Sequence, residues 1–139
     1  MEDARQAGVV LEDIYMAHNF YPKIDNGLSE KLFRRLNGNF AENSLRTMAF
    51  VPGDALKRFP LYQGLPTLEK HRGMNPYVAA VELMTSYRVT DIAIGDSKAQ
   101  LSTLQMIYDY MQQKVINYVD LLDFVGPETA VCLIPLDEL

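Results

Sequence analysis

A single cysteine, Cys132, stands among the 139 residues, which excludes an internal disulfide and any zinc site built on cysteines. A reducing, cytoplasmic setting suits such a chain. Basic residues are also few. Thirteen Lys and Arg against eighteen Asp and Glu leave a net charge of −5, the wrong sign for a surface that follows a phosphate backbone, so nucleic-acid binding is disfavoured. No apolar run approaches the roughly 18 residues of a membrane span. The start, Met1-Glu2-Asp3-Ala4-Arg5-Gln6, has no apolar h-region, so neither a membrane partner nor a secretory signal is expected. Missing as well are Gly-x-Gly-x-x-Gly after a strand, a Walker loop, His-Glu-x-x-His and Gly-x-Ser-x-Gly, which leaves dinucleotide, nucleotide and serine-hydrolase readings without local support. The two histidines, His18 and His71, lie far apart in sequence, so a metal site would rest on carboxylates. No metal and no cofactor is expected. The length also falls short of the roughly 250 residues typical of a complete (β/α)8 barrel.

What is present is a globular composition, 48% hydrophobic and 22% charged, read as one folded unit. Residues 4–8 read as the last turn of a helix with Gly8 as its stop. Strands are expected near 13–18, 46–51 and 91–95, and helices near 29–37, 76–86 and 98–113. Ser29 is the expected N-cap of the first of these helices, with Leu32, Phe33 and Leu36 as its buried stripe. Asn37-Gly38-Asn39 reads as a stop or kink. Asn75 caps the second helix with Pro76 at its first position, and Ala79, Ala80, Leu83 and Met84 supply the buried face. Ser97 or Asp96 caps the third, with Leu101, Leu104, Ile107, Tyr108 and Met111 on one buried face. Runs at 115–119 and 131–134 are candidate fourth and fifth strands. Strand and helix alternate, so the fold class is α/β with a parallel sheet of about three to four β/α units. A loop from Pro52 to about Asn75 is longer than compact domains usually carry, and such loops tend to be functional.

Polar residues gather where the strands end, the edge at which α/β folds bind ligands. His18, beside Asn19 and Tyr21, reads either as a general acid/base or ligand orienter, or as a histidine bonded to loop backbone. Asp54 and Asp96 each read as a catalytic carboxylate, a contact to a sugar hydroxyl, or a turn or helix cap. The basic clusters Lys57-Arg58 and Glu69-Lys70-His71-Arg72 read either as an anion site or as a solvated face.

Four stretches carry a resemblance: His18-Asn19-Phe20-Tyr21-Pro22 with Gly27-Leu28-Ser29; Met48-Ala49-Phe50-Val51-Pro52-Gly53-Asp54; Pro60-Leu61-Tyr62-Gln63-Gly64-Leu65-Pro66-Thr67-Leu68-Glu69-Lys70-His71-Arg72; and Ile94-Gly95-Asp96. Together the chain resembles the bacterial 6-phospho-N-acetylmuramidase family, once described as a domain of unknown function or "outer surface protein". The resemblance implies a TIM-type barrel glycosidase followed by a smaller cyclophilin-like domain. It implies cytoplasmic cleavage of 6-phospho-N-acetylmuramyl-N-acetylglucosamine in peptidoglycan recycling. This chain is expected to be the C-terminal part of the barrel only, a partial barrel over 1–119 with a tail or stub of a second domain over 120–139. By the same resemblance Asp54 and Asp96 contact or attack the sugar. His18, Asn19, Tyr21, Tyr62 and Glu69 bind substrate, and Arg58, Lys70 and Arg72 pair with the 6-phosphate. The chain departs from the family pattern at Lys23-Ile24 (Arg-Pro expected), Phe59 (Gly), Gln63 (Glu) and Ser97 (Pro). Gln63 has no titratable proton, so a Glu acting there as acid or base would have no counterpart. Two further readings stand beside the glycosidase fragment: a catalytically inactive truncated remnant, and a sugar-phosphate binding module. A missing barrel half or self-association is the expected protein partner.

Overall fold

The protein is described here from a computed structural model, which covers residues 14–113 together with Gln6, Gly8 and Val10. Three apolar strands form one parallel sheet, β1 (Tyr15–Ala17), β2 (Arg46–Val51) and β3 (Asp91–Ile94), in the order β1-β2-β3. Tyr15 aligns with Arg46, and Met48 with Asp91. Between and after the strands run α1 (Glu30–Glu42), α2 (Pro76–Ser86) and α3 (Leu101–Gln113), with a short 3-10 turn at Glu69–His71. The expected alternation and parallel pairing are present, every described element lies near its expected position except that α1 runs on past 37 to Glu42, and the fold is mixed α/β. Gln6 is helical and Gly8 takes a φ of 75°, as a helix stop there requires. The candidate strands at 115–119 and 131–134, and the stub at 120–139, lie outside the described residues.

The caps act as the sequence predicts for two helices. The Ser29 hydroxyl accepts from the Leu32 N–H, and Asn75 accepts from Tyr77 and Val78. The expected break at Asn37-Gly38-Asn39 does not occur. Helix α1 continues to Glu42 because Asn37, almost wholly buried, spends its amide away from its own backbone: it donates to the Tyr87 carbonyl at 2.6 Å and accepts from His18 at 3.0 Å.

The core lies on one face of the sheet. Thr47, Ala49 and Val51 of β2 are buried, while Arg46, Met48 and Phe50 between them are exposed or half-buried, the period-2 signature of a sheet covered on one side. Ala49, Val51, Ile92 and Ile94 pack with Phe33 of α1, with Ala79, Ala80 and Leu83 of α2, and with Ile107 and Tyr110 of α3. Helix α2 is central, so it is buried nearly all round. The opposite sheet face carries Tyr15, Ala17, Arg46, Met48, Phe50, Asp91 and Ala93 by register. There Arg46 bonds Asp91 at 2.8 Å and lies over the Tyr15 ring.

The expected buried face of α3 is corrected. Of Leu101, Leu104, Ile107, Tyr108 and Met111 only Ile107 is buried; Thr103, Ile107 and Tyr110 face the core. The helix carries apolar residues on two sides, and the face packed on α2 is the one the simple stripe omitted.

Candidate functional site

All three strand C-termini open on one edge, and the segment from Pro52 to Leu68 folds across it. Two glycines allow this close approach. A Cβ on Gly95 would collide with the Leu65 carbonyl, and one on Gly53 with the Lys98 carbonyl. Asp96, at the exit of β3, then gathers the loop. Its Oδ2 accepts from the Gly53 N–H at 2.8 Å and the Leu65 N–H at 3.3 Å, and its Oδ1 accepts from the Arg58 N–H at 2.9 Å. The Lys57 ammonium lies 3.7 Å away and donates to the Gly53 carbonyl. The Asp96 side chain is fully shielded from solvent. Asp54, after β2, reaches α3 instead. Its Oδ1 accepts from the Gln100 N–H at 2.8 Å and its Oδ2 from the Thr103 hydroxyl at 2.6 Å. The cap of α3 therefore comes from Asp54, not from Asp96 or Ser97. In this geometry the oxygens of both aspartates accept hydrogen bonds from the chain's own amides and one hydroxyl.

A second tie fixes the other side of the edge. Arg72 grips Glu69 through two bonds of 2.6 and 2.7 Å, and its remaining donors reach the carbonyls of Tyr21, Lys23 and Gly64. Glu69 also accepts from the Gly27 N–H at 2.7 Å. The Arg72 guanidinium pulls the Glu69 carboxyl down to about 2, against the opposing effect of burial. Thr67, fully buried, donates to the Asn19 carbonyl and accepts from the Phe50 N–H, both at 2.9 Å. Asn19 and Tyr21 thus contribute backbone atoms to the tie.

His18 turns inward. Its Nε2 donates to the Asn37 carbonyl oxygen at 3.0 Å, and its ring packs against Phe33 at 4.6 Å and Phe40 at 5.9 Å. Burial lowers its pKa, which favours the neutral ring. Lys70 points the other way, to Glu82 and Glu30 beside Tyr87. The three expected phosphate ligands therefore do not converge: Arg72 is committed to the loop and Lys70 to the helix side. Arg58 is different. Among the described residues its guanidinium has no carboxylate partner, and it sits 5.4 Å over the Phe20 ring.

Arg58 lines a cleft of about 220 Å³ at the strand exits, with Phe20, Phe59, Tyr62 and Gln63 around it. Phe59 and Tyr62 meet edge to face at 6.2 Å, and both are exposed. Of the expected binding residues the cleft brings together Arg58 and Tyr62; Phe20 is an addition that the strand-exit position alone would have signalled. Phe59 and Gln63, two of the departures from the family pattern, both face this space. Among the described residues no group of three or more His, Cys, Asp or Glu is placed to hold a metal ion, and no helix is long and apolar enough to cross a membrane.

No curated protein matches the chain. Two crystal structures do. One is of a conserved protein of unknown function from a locus in Enterococcus faecalis, 35% identical with a TM-score of 0.71, covering 81% of this chain and 32% of that one. The other is of an uncharacterized B. cereus protein, 28% identical with a TM-score of 0.68, covering 75% of this chain and 30% of that one. This chain thus spans about a third of the length of either. The family model for the N-terminal part of 6-phospho-N-acetylmuramidase matches residues 1–109. The match is to an N-terminal part, so the expectation that these residues are the C-terminal portion of the barrel is not borne out. With 1–109 matched, and with the strand-exit motifs folded onto one edge, the chain belongs to the 6-phospho-N-acetylmuramidase family.

Proposed function

We propose that this chain forms a substrate-holding part of a glycosidase acting on 6-phospho-N-acetylmuramyl-N-acetylglucosamine in cell-wall recycling, and that it binds the phosphorylated sugar without cleaving it unaided. The observation that carries the reading is Arg58, a cation with no carboxylate partner among the described residues, in an aromatic-walled cleft at the strand exits. A guanidinium offers a planar fork to a phosphate, and charge-assisted hydrogen bonds are roughly twice as strong as neutral ones. The Phe20, Phe59 and Tyr62 rings suit the C–H face of a pyranose. The parallel sheet with its ligand edge is in keeping with a partial TIM-type barrel over 1–119, and the same reading assigns a cytoplasmic location.

Glycoside hydrolysis uses two carboxylates flanking the bond. Asp54 and Asp96 have their oxygens engaged by backbone amides and a hydroxyl, and Gln63 in the cleft cannot exchange a proton. That supports binding without turnover for this chain, and it equally favours the second reading, a remnant that keeps a sugar-phosphate site but no catalysis.

Calorimetric titration with muramic acid 6-phosphate and with its unphosphorylated form tests the proposal. Preference for the phosphorylated sugar is expected, and Arg58→Ala is expected to erase that preference. Equal affinity for both sugars overturns the phosphate assignment. Release of N-acetylglucosamine by the purified chain overturns the claim that it does not cleave unaided.

A further inference from the structure

Residues 69–72 face two ways. Arg72 reaches the strand exits, where it holds the carbonyls of Tyr21, Lys23 and Gly64. Gly64, and Pro22 between Tyr21 and Lys23, line the Arg58 cleft. Lys70 and His71 face the helices. There Arg34 bonds Glu30 at 2.8 Å, Glu30 meets Lys70 at 3.4 Å, Lys70 also bonds Glu82, and Glu82 meets the His71 Nε2 at 2.9 Å. This run of contacts ends on an imidazole that is fully buried. Its Nδ1 is shielded from solvent and has no hydrogen-bond partner among the described residues.

That geometry suits the neutral ring. With the Nε2–H donated to Glu82, only a lone pair is left unmatched. A second proton would sit on Nδ1 as a buried N–H without an acceptor. It would also add a third cation to Arg34 and Lys70, which Glu30 and Glu82 already balance two against two and which both lie over the Tyr87 ring. Glu69 on the same turn is held by Arg72. Burial, with help from Lys70, lowers the His71 pKa against the pull of Glu82 and Glu30. We propose that His71 is a pH-sensitive latch on the cleft: the neutral ring seats the turn from which Arg72 holds the cleft wall, and the protonated ring forces that turn open and frees Pro22 and Gly64. Its bearing on ligand binding rests on the sugar-phosphate reading of the cleft. Below the ordinary 6.5 of a histidine the open turn takes up a proton that the seated turn does not. Opening therefore increases as pH falls, by up to about tenfold per unit for one proton.

Hydrogen exchange of the full chain, corrected for the intrinsic rate at each pH, reads this opening. Between pH 7 and pH 5 the amides of His71, Arg72 and Met74, bonded within the turn, are expected to lose protection by about tenfold or more. His71→Gln keeps a donor for Glu82 and cannot be protonated, so it is expected to lose that response. In the wild type the His71 ring proton signal is expected to titrate below 6.5, a measurement that needs no variant to fold. Titration at 6.5 or above overturns the proposal. So does wild-type exchange that ignores pH, or an equal rise in the variant, as titration of His18 would produce. The ratio of wild-type to variant affinity for muramic acid 6-phosphate, in which the ligand's own titration cancels, is expected to fall over the same range. A constant ratio while exchange responds overturns the link to the cleft. An absence of phosphate preference in the wild type at pH 8 overturns the reading of the cleft and not the latch.

Discussion

Arg72 holds both oxygens of Glu69, and the Glu69 carboxyl consequently titrates near 2 instead of at its ordinary 4.5. A carboxyl whose pKa is depressed by folding adds stability above its unfolded pKa and loses it as pH falls through the folded value. The contribution of Glu69 is therefore complete above about pH 4.5 and drains away towards pH 2. Glu69→Gln is expected to lower stability at neutral pH by about 1–3 kcal/mol and to flatten the pH dependence of the melting temperature in that window. An unchanged acid limb would show that the tie contributes nothing. Asp96 makes the sharper residue-scale case. Asp96→Ala leaves the amides of Gly53, Arg58 and Leu65 without their acceptor, at a cost of about 3 kcal/mol or more, and protease cutting within 53–65 should accelerate. Asp96→Asn keeps one carbonyl oxygen and should fall between. Both aspartates were visible in the sequence as strand-exit carboxylates. What their oxygens would meet was not, because the partners lie tens of residues away in the chain.

At the scale of elements, α3 depends on a cap that its own sequence does not supply. Asp54 provides it across 46 positions, through the Gln100 N–H, and an N-cap of this kind is worth about 1 kcal/mol. Asp54→Ala is expected to lower stability by about that amount and to speed hydrogen exchange in the first turn of α3, leaving α1 and α2 unaffected. Uniform acceleration across all three helices would argue against a local cap. Helix α1 shows the converse. Asn37 and Gly38 are poor helix formers, yet the helix runs through them because the Asn37 amide is paired with His18 and the Tyr87 carbonyl. Local propensity was outvoted by two tertiary hydrogen bonds.

For the molecule as a whole, the sheet has helices on one face and none among the described residues on the other, so Met48 and Phe50 of β2 stay partly open. Such a surface is a docking face or an aggregation hazard. The native chain is expected to enhance the fluorescence of a hydrophobic dye, and Met48→Lys to reduce that signal without loss of helicity. A native chain silent to the dye would show that the face is covered.

Periodicity, the local caps Ser29 and Asn75, and the strand-exit positions of Asp54 and Asp96 can be read from the chain because each is a property of near neighbours: the 3.6 and 2 periods, a side chain beside the amide it caps, a polar residue following an apolar run. Three parallel strands and their intervening helices follow from that. The job of each strand-exit residue does not. His18 was drawn between Phe33 and Phe40, Arg72 spent on three carbonyls and a carboxylate, Lys70 turned to Glu82, and Arg58 left over the Phe20 ring without an acid. Each outcome turns on which rings, carbonyls and charges of other helices and loops come within reach of that side chain. That proximity is created by chain folding across long sequence separations, and hydrogen-bond energies fall away too steeply with distance for spacing along the chain to stand in for it.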